Sequence, residues 1–451
     1  ASFPLPLPEF PHNKIQCPDM FTKLWLGGTR WHGARRVWYN AAMFTSNNSA
    51  ASEVVAPAAL LFPLGLGTAL SLMGDATLYT VLPTHTEQAG ISMAAVGMIL
   101  GVNRAVRLLT NGPAGLAYDR WPRRWLFVPA LFLGALSTAL YAATWGFWPL
   151  FLGRLLWGLA WSGIWVGGAT MILDVTVTAD RGRWTGLYQT WFFLGTGFGA
   201  FAGGVLTDVL GYRGSLWVGA LLSMIGAVAA LVLLPETRRT QTYGPTTTKR
   251  DTVTDTPLRA NGALWAAVAL QGLNRLVFSG VLAATLALIV GQEMSDLSPA
   301  LGAASLTGIL MASRSVFGMA AAPLGGALSD VLRSRWLVVL WSVLAGAVGI
   351  LLLAWGGLVG ILVGVLLTSV ASGAIQSLTT TLTGDLVTPR QRGRAIGMLH
   401  TSGDLGSAVG PPVAYAILLV LSLRDVYVLC GVLLFVGSLL AARFYASSRT
   451  G

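Results

Sequence analysis

The stretch Gly115-Leu116-Ala117-Tyr118-Asp119-Arg120-Trp121-Pro122-Arg123-Arg124 returns, 211 positions later, as Gly326-Ala327-Leu328-Ser329-Asp330-Val331-Leu332-Arg333-Ser334-Arg335. A glycine, an aspartate and a basic run recur in both copies. The same offset carries Asp174, Arg181, Gly182 and Arg183 onto Asp385, Arg392, Gly393 and Arg394, and Gly195 and Gly199 onto Gly406 and Gly410. A chain made of two copies of one mostly apolar half points to a membrane carrier with an internal repeat.

Composition agrees. Hydrophobic residues make up 54% of the 451 residues and charged residues only 10%, where a soluble domain carries about 25% charged. Lipid is the solvent that suits such a chain. The formal net charge is +11, but its Lys and Arg residues are spread over short loops between apolar stretches, so nucleic-acid binding does not follow. Cys17 and Cys430 are far apart and imply neither a disulfide framework nor a zinc site. The four histidines lack metal-ligand spacing, so no metal is expected.

Apolar segments long enough for a bilayer core of ~30 Å run near 57–83, 91–111, 124–144, 147–173, 184–206 and 215–234, then near 263–290, 298–322, 336–355, 357–383, 395–421 and 425–444. The expected fold is therefore all-α and polytopic, with about twelve transmembrane helices in two repeated six-helix bundles. The bundles are assigned to 53–234 and 263–446, joined by a polar cytoplasmic linker over 235–262. Alternate loops hold the arginines: Arg120, Arg123 and Arg124; Arg181 and Arg183; Arg238 and Arg239; Arg333 and Arg335; Arg390, Arg392 and Arg394. The opposite loops offer little beyond Arg213 and Arg424. The positive-inside rule then places both termini in the cytoplasm. Residues 1–52 stand outside the repeat and lack the regions of a signal peptide. They read as a disordered extension, with Met43 as an alternative start, or as a short interfacial segment around Trp25–Trp38.

Charges inside apolar segments are costly and mark function by default. Asp75 in the first segment and Arg154 in the fourth sit at similar depth, where they pair or compete for a proton. Burial raises a carboxylate's pKa and an arginine lowers it, which suits proton coupling; a static ion pair is the plainer alternative. Arg104 and Arg314, 210 positions apart, lie in the inner halves of their segments and read as gate or lining residues. Arg275, near mid-membrane, is placed to meet an anionic group or Asp404. Gln189 and Gln376 are further cavity candidates, although a buried glutamine more often bonds a neighbouring helix. Gly195, Gly199, Gly203 and Gly204 bare one face of a helix to close approach. Gly406 and Gly410 repeat the pattern, followed by Pro411, which removes a helix hydrogen bond.

The loop Gly115–Arg124 resembles the signature of the major facilitator superfamily, Gly-x-x-x-Asp-Arg/Lys-x-Gly-Arg-Arg/Lys, with Pro122 where the family has glycine. Arg154-Leu155-Leu156-Trp157-Gly158 is similar to the family's Arg-x-x-x-Gly pattern, and Pro235-Glu236-Thr237-Arg238 to its usual end of the sixth helix. Gly195 to Gly204 is similar to the antiporter branch's Gly-x-x-x-Gly-Pro-x-x-Gly-Gly, with Ala200 in place of proline. The resemblance covers about residues 57–444. It implies two bundles around a central cavity that opens alternately to each side. It also implies a small-molecule substrate, protons as coupling ion, no cofactor, and a monomer in a bacterial or archaeal cytoplasmic membrane. The leading reading is proton-coupled efflux of amphipathic molecules, similar to drug–proton antiporters. Alternatives are uptake of an organic acid, with Arg275 and Arg104 supplying positive charge, and a non-transporting receptor or scaffold. No P-loop and no catalytic constellation is present, so an enzyme is not expected.

Overall fold

Glycine decides where the helices turn. Gly146 (φ 100°) and Gly357 (φ 75°) adopt backbone angles that a side chain disfavours, and they stand 211 positions apart, at the same point of each repeat. Each is the residue before a long helix. Two joins that are too short to read with certainty from hydropathy are thus two tight glycine turns.

The computed structural model describes residues 55–176, 181–237, 258–294, 302–355, 357–388 and 391–450. The extension 1–52, Cys17 and most of the linker fall outside the described residues. In chain order the long helices are α1 Pro57–Val81, α2 Met93–Arg120, α3 Arg123–Ala143 and α4 Phe147–Val175. The helical run Arg181–Leu233 is broken at Gly211 (φ 76°, ψ 172°) into α5 over 181–210 and α6 over 212–233. There follow α7 Gly262–Glu293, α8 Ala303–Val331, α9 Arg335–Trp355, α10 Leu358–Asp385, α11 Arg392–Ile417 and α12 Leu423–Thr450. Within α7 the turns widen to a π-helix from Arg275 to Leu282. No strand occurs among the described residues.

Among the described residues, ten helical runs are long and apolar enough to cross a membrane. One of them, Arg183–Leu233, has 51 residues and at about 1.5 Å per residue spans a bilayer twice. The remaining helix, α11, is diluted by His400, Ser402 and Asp404. Twelve crossings in two sets of six result, as the hydropathy pattern predicts. Large apolar side chains such as Leu109, Trp148, Val232 and Trp341 point outward, which in lipid carries no penalty.

Each half has its own apolar core. Leu64, Leu131, Trp157, Ile164 and Met171 belong to one; Phe278, Val339, Ile350, Leu378 and Tyr427 to the other. A third cluster joins residues of both halves, among them Leu78, Val96, Tyr212, Ala284, Ala304 and Tyr415. These lie towards the end of the bundle where Gly211 turns, opposite the loops of the repeated motif.

Candidate substrate and coupling site

The helices that carry glycines decide how closely the two halves approach. A Cβ on Gly101 of α2 would lie 2.5 Å from the Ala408 carbonyl of α11, and one on Gly97 would lie 2.7 Å from that of Pro411. On the other flank, a Cβ on Gly204 of α5 would meet the Ala304 carbonyl of α8 at 2.2 Å, and one on Gly308 would meet that of Ala200 at 2.4 Å. Past these contacts, Asp208 Oδ2 accepts from the Ser305 backbone N–H at 2.8 Å, tying α5 to the start of α8. These close contacts lie towards the Gly211 end. Among the described residues, no hydrogen bond or ion pair joins the halves beyond Asn111 on the side of the motif loops.

The intramembrane charges gather beside these contacts. One turn below the Gly101–Ala408 contact, Arg107 Nη2 donates to Asp404 Oδ1 at 2.9 Å, and Asn111 Nδ2 reaches Asp404 Oδ2 at 3.4 Å. Asp404 therefore pairs with Arg107 rather than with Arg275. Depth alone favours both arginines, but α2 packs on α11 through Gly97 and Gly101, which puts Arg107 in reach. Arg275 instead donates to Ser279 Oγ at 3.3 Å within the π-helical turn. It remains close enough to Arg104, Asp404 and Arg107 to interact electrostatically.

Asp75 and Arg154 are brought together. Arg154 Nη1 donates to Asp75 Oδ1, its Nε donates to the Ile99 carbonyl at 3.1 Å, and its surface is wholly buried. Its guanidinium lies 5.1 Å from the Tyr79 ring centroid and 6.0 Å from that of Tyr141. Arg104 sits 5.6 Å from the centroid of the same Tyr79, so one aromatic ring lies near two cations. The Tyr79 hydroxyl donates to the Leu100 carbonyl at 2.7 Å, which fixes the ring. In the second half, Arg314 Nη2 donates to the Phe278 carbonyl at 2.6 Å. The wider π-helical turn leaves main-chain carbonyls available for such bonds. Gln189 and Gln376 are half-buried on α5 and α10. A deeper glutamine, Gln271, accepts from Thr379 Oγ1 at 3.1 Å and links α7 to α10.

Asp119 and Asp330 are exposed and form no ion pair among the described residues. Arg123 turns away from Asp119, because it starts α3 facing the end of α4, and its Nε donates to Asp174 Oδ2 at 3.0 Å. Thr237 Oγ1 donates to the same carboxylate oxygen. Glu236 takes the backbone N–H groups of Arg123 and Arg124, each at 3.0 Å, and so caps α3. Glu236 thus does chemistry that its motif alone does not reveal. In the second half Arg335 Nε pairs with Asp385 Oδ2 at 2.7 Å. Arg120 and Arg333 are exposed, Arg333 at φ 49°. Among the described residues, both networks lie within their own half. The signal for them was the second repeated pair, Asp174 and Asp385, whose spacing from the loop arginines recurs.

Gly195 and Gly199 face α1, where added Cβ atoms would lie 2.6 and 2.7 Å from the Cα atoms of Ala69 and Met73. Gly203 faces Thr77 of the same helix. Gly406 and Gly410 face α7, at the Gly272 carbonyl and at Gly280. Among the described residues no group of acidic, histidine and cysteine side chains is arranged to hold a metal ion.

The Major Facilitator Superfamily family model matches residues 64–311 and 264–451. Citrate exporter 1 of Aspergillus niger is 26% identical over 176 residues, which cover 39% of this chain and 34% of that protein. Inner membrane transport protein YajR of Escherichia coli (strain K12) is 30% identical over 183 residues, 38% of each chain. The matched part spans little more than a third of the length of these curated relatives. A bacterial homolog of the human lysosomal transporter Spinster, solved in an inward-facing and occupied conformation, has the same fold: its TM-score is 0.70 at 16% identity, over 87% of this chain and 96% of that one.

Proposed function

The chain belongs to the major facilitator superfamily and is a multi-pass membrane protein, and from that premise we propose that it is a secondary active transporter that exports small amphipathic molecules in exchange for protons. The observation that carries this reading is the one-sided contact of the two halves. Glycine-mediated packing joins the halves towards one end, and the bonds of Arg107 and Asn111 to Asp404 join them towards the motif loops. Such a molecule exposes its centre to one side, and rocking about the centre exposes it to the other. The arginine-rich loops put the open end in the cytoplasm, with both termini there and the protein in a bacterial or archaeal cytoplasmic membrane, as a monomer.

Asp75 is the proton carrier in this reading. Its carboxylate keeps 16% of its surface exposed while Arg154 has none, so a proton reaches the pair from the Asp75 side. The groups interacting with Asp75 are Arg154 from α4, Tyr141 from α3 and, at longer range, Arg107 from α2. Protonation would neutralise the carboxylate and free the guanidinium for another partner. A membrane potential of 100 mV supplies about 2.3 kcal/mol for each charge moved. The export direction is supported by the glycine face of α5 and by the likeness to an exporter.

The test uses everted vesicles from cells expressing the chain, with respiration supplying the proton gradient and a panel of lipophilic cations, neutral antimicrobials and organic acids as cargo. Accumulation that uncoupler abolishes is expected for the native chain. Asp75→Asn should lose that accumulation and keep downhill exchange. Gradient-driven accumulation undiminished by Asp75→Asn would sink the coupling assignment, and absence of flux for every compound would sink the transporter reading.

A further inference from the structure

Arg424 stands where the loops carry almost no positive charge. It lies in the first turn of α12, at the end of the molecule opposite the arginine-rich loops, where the positive-inside rule gives it no topological task. A cavity of about 160 Å³ opens at that end of the second half, between α7, α9 and α12. Ile289, Leu353 and Tyr427 are buried and form its apolar floor. Its rim is exposed and carries Glu293, the last residue of α7, with Trp355, the last of α9, and Arg424.

The two rim charges share one cavity without pairing, since no ion pair joins Glu293 to Arg424. The Arg424 guanidinium lies 5.2 Å from the Trp355 ring centroid. Such stacking uses the flat face of the group and leaves its N–H edge for an oxyanion. Asp425, next in the chain, is engaged locally. Its Oδ2 accepts from the Ser422 backbone N–H at 3.0 Å and from the Ser422 hydroxyl at 2.6 Å, which caps the start of α12. A carboxylate and a guanidinium held apart over an apolar floor have the charge pattern of a receptor for a zwitterion. The repeat shows that the fold alone does not require it. At the offset of 211, Arg424 corresponds to Arg213, but Glu293 corresponds to Leu82. The first half keeps the arginine and lacks the carboxylate.

We propose that this cavity binds the phosphoethanolamine headgroup of a membrane lipid, with the phosphate on Arg424 and the ammonium on Glu293. The surroundings favour a lipid over a soluble zwitterion. Tryptophan is the residue of the membrane–water interface, and Trp355 marks that level here. Val359 and Val420 are exposed on the neighbouring turns, and α12 exposes Leu429, Val432, Val436 and Leu439 further along. Acyl chains therefore find an apolar surface beside the cavity, and a soluble molecule makes no use of it. A cavity of about 150 Å³ holds a group the size of benzene, enough for the head and not for the chains. The head reaches α12 with one charge and α7 with the other, so binding holds these two helices together at their outer ends. A choline head has no N–H to give Glu293, and a glycerol head has no cation.

The test is native mass spectrometry and thermal unfolding of the delipidated full chain in detergent. The probes are dioleoyl-phosphatidylethanolamine, its choline and glycerol analogues, and soluble glycerophosphoethanolamine. The ethanolamine lipid is expected to bind roughly threefold to tenfold more tightly than either analogue, the scale of one partly exposed charge-assisted pairing. It should raise the melting temperature in a saturable way. Glu293→Gln should erase that preference and leave binding of the glycerol lipid at or above its native level, because a repelling carboxylate is gone. A merely structural role for Glu293 would weaken all three lipids alike. Arg424→Gln should weaken all three, since each carries the phosphate. Arg213→Gln, at the equivalent position of the first half, should change nothing. Glu293, Arg424 and Arg213 are all exposed, so the variants fold, which size-exclusion profiles establish. Equal binding of the three lipids by the native chain overturns the proposal. So does a preference for ethanolamine that survives both Glu293→Gln and Arg424→Gln. Stabilisation by glycerophosphoethanolamine equal to that by the lipid, at the same concentration, overturns the assignment to lipid and gives the cavity to a soluble zwitterion.

Discussion

Arg154 has no exposed surface, and its charge is met by one carboxylate, one backbone carbonyl and two aromatic rings. Removing one member of a buried pair strands the other. Arg154→Ala should therefore cost about 3–5 kcal/mol, while Asp75→Asn combined with Arg154→Ala should recover part of that loss. Thermal or denaturant unfolding of the purified protein in detergent measures both. Arg104→Ala provides the contrast, because it breaks no ion pair and should destabilise far less. At the other end of the molecule Glu236 caps two backbone N–H groups at the start of α3. Glu236→Ala should cost about 0.5–2 kcal/mol, the range for a lost helix cap, and Glu236→Gln less, since an amide oxygen still accepts. Asp119→Asn should leave stability unchanged, since Asp119 is exposed.

Among the elements, α5 and α11 each touch a neighbour in their own half and a helix of the other. The glycines at spacing four in 195–203 serve α1, whereas Gly204 serves α8. A leucine at Gly199 would place its Cβ 2.7 Å from a backbone atom that cannot yield, so Gly199→Leu should force α1 and α5 apart. The measurement is the yield of monodisperse protein, expected to fall severely. Gly186→Ala sits on the same helix where nothing lies within 4 Å. It should be neutral or stabilising by up to ~1 kcal/mol, the usual gain for replacing a helical glycine. The spacing of the glycines is legible in the sequence, and so is the existence of a bare helix face. Which helix fills which face is not, because periodicity fixes a direction around one helix and says nothing of its neighbour.

For the whole molecule, the two ends differ in what a reagent can reach. In a chain with Cys17 and Cys430 replaced by serine, a cysteine at Gly115 or Gly397 should react with a membrane-impermeant maleimide. One at Ala304 or Ala408, which expose 2% and 6% of their surface, should not. Adding the reagent from one side of the membrane only reports which face the open end occupies, and the arginine-rich loops predict the cytoplasmic face. Under conditions that favour the opposite conformation the two pairs should exchange reactivity. Equal labelling of all four positions in every condition would contradict a rocking mechanism.

Hydropathy, the repeat and the loop charges determine from the sequence alone that this is a membrane protein of twelve helices in two related halves. Those features survive any packing, because a segment of that length and polarity has only lipid to dissolve in. The sequence also marks nearly every charge that matters, since an ionised group in an apolar segment stands out. Their partners are another matter. Arg107 and Arg275 have equal claims on Asp404 by depth, and the tie is broken by the close approach of α2 to α11 at Gly97 and Gly101. Arg123 leaves Asp119 for Asp174, and Glu236 closes over α3, because residues more than fifty positions apart come together at one end of a half. Pairing depends on distances of a few ångströms between helices, and only their packing sets those distances.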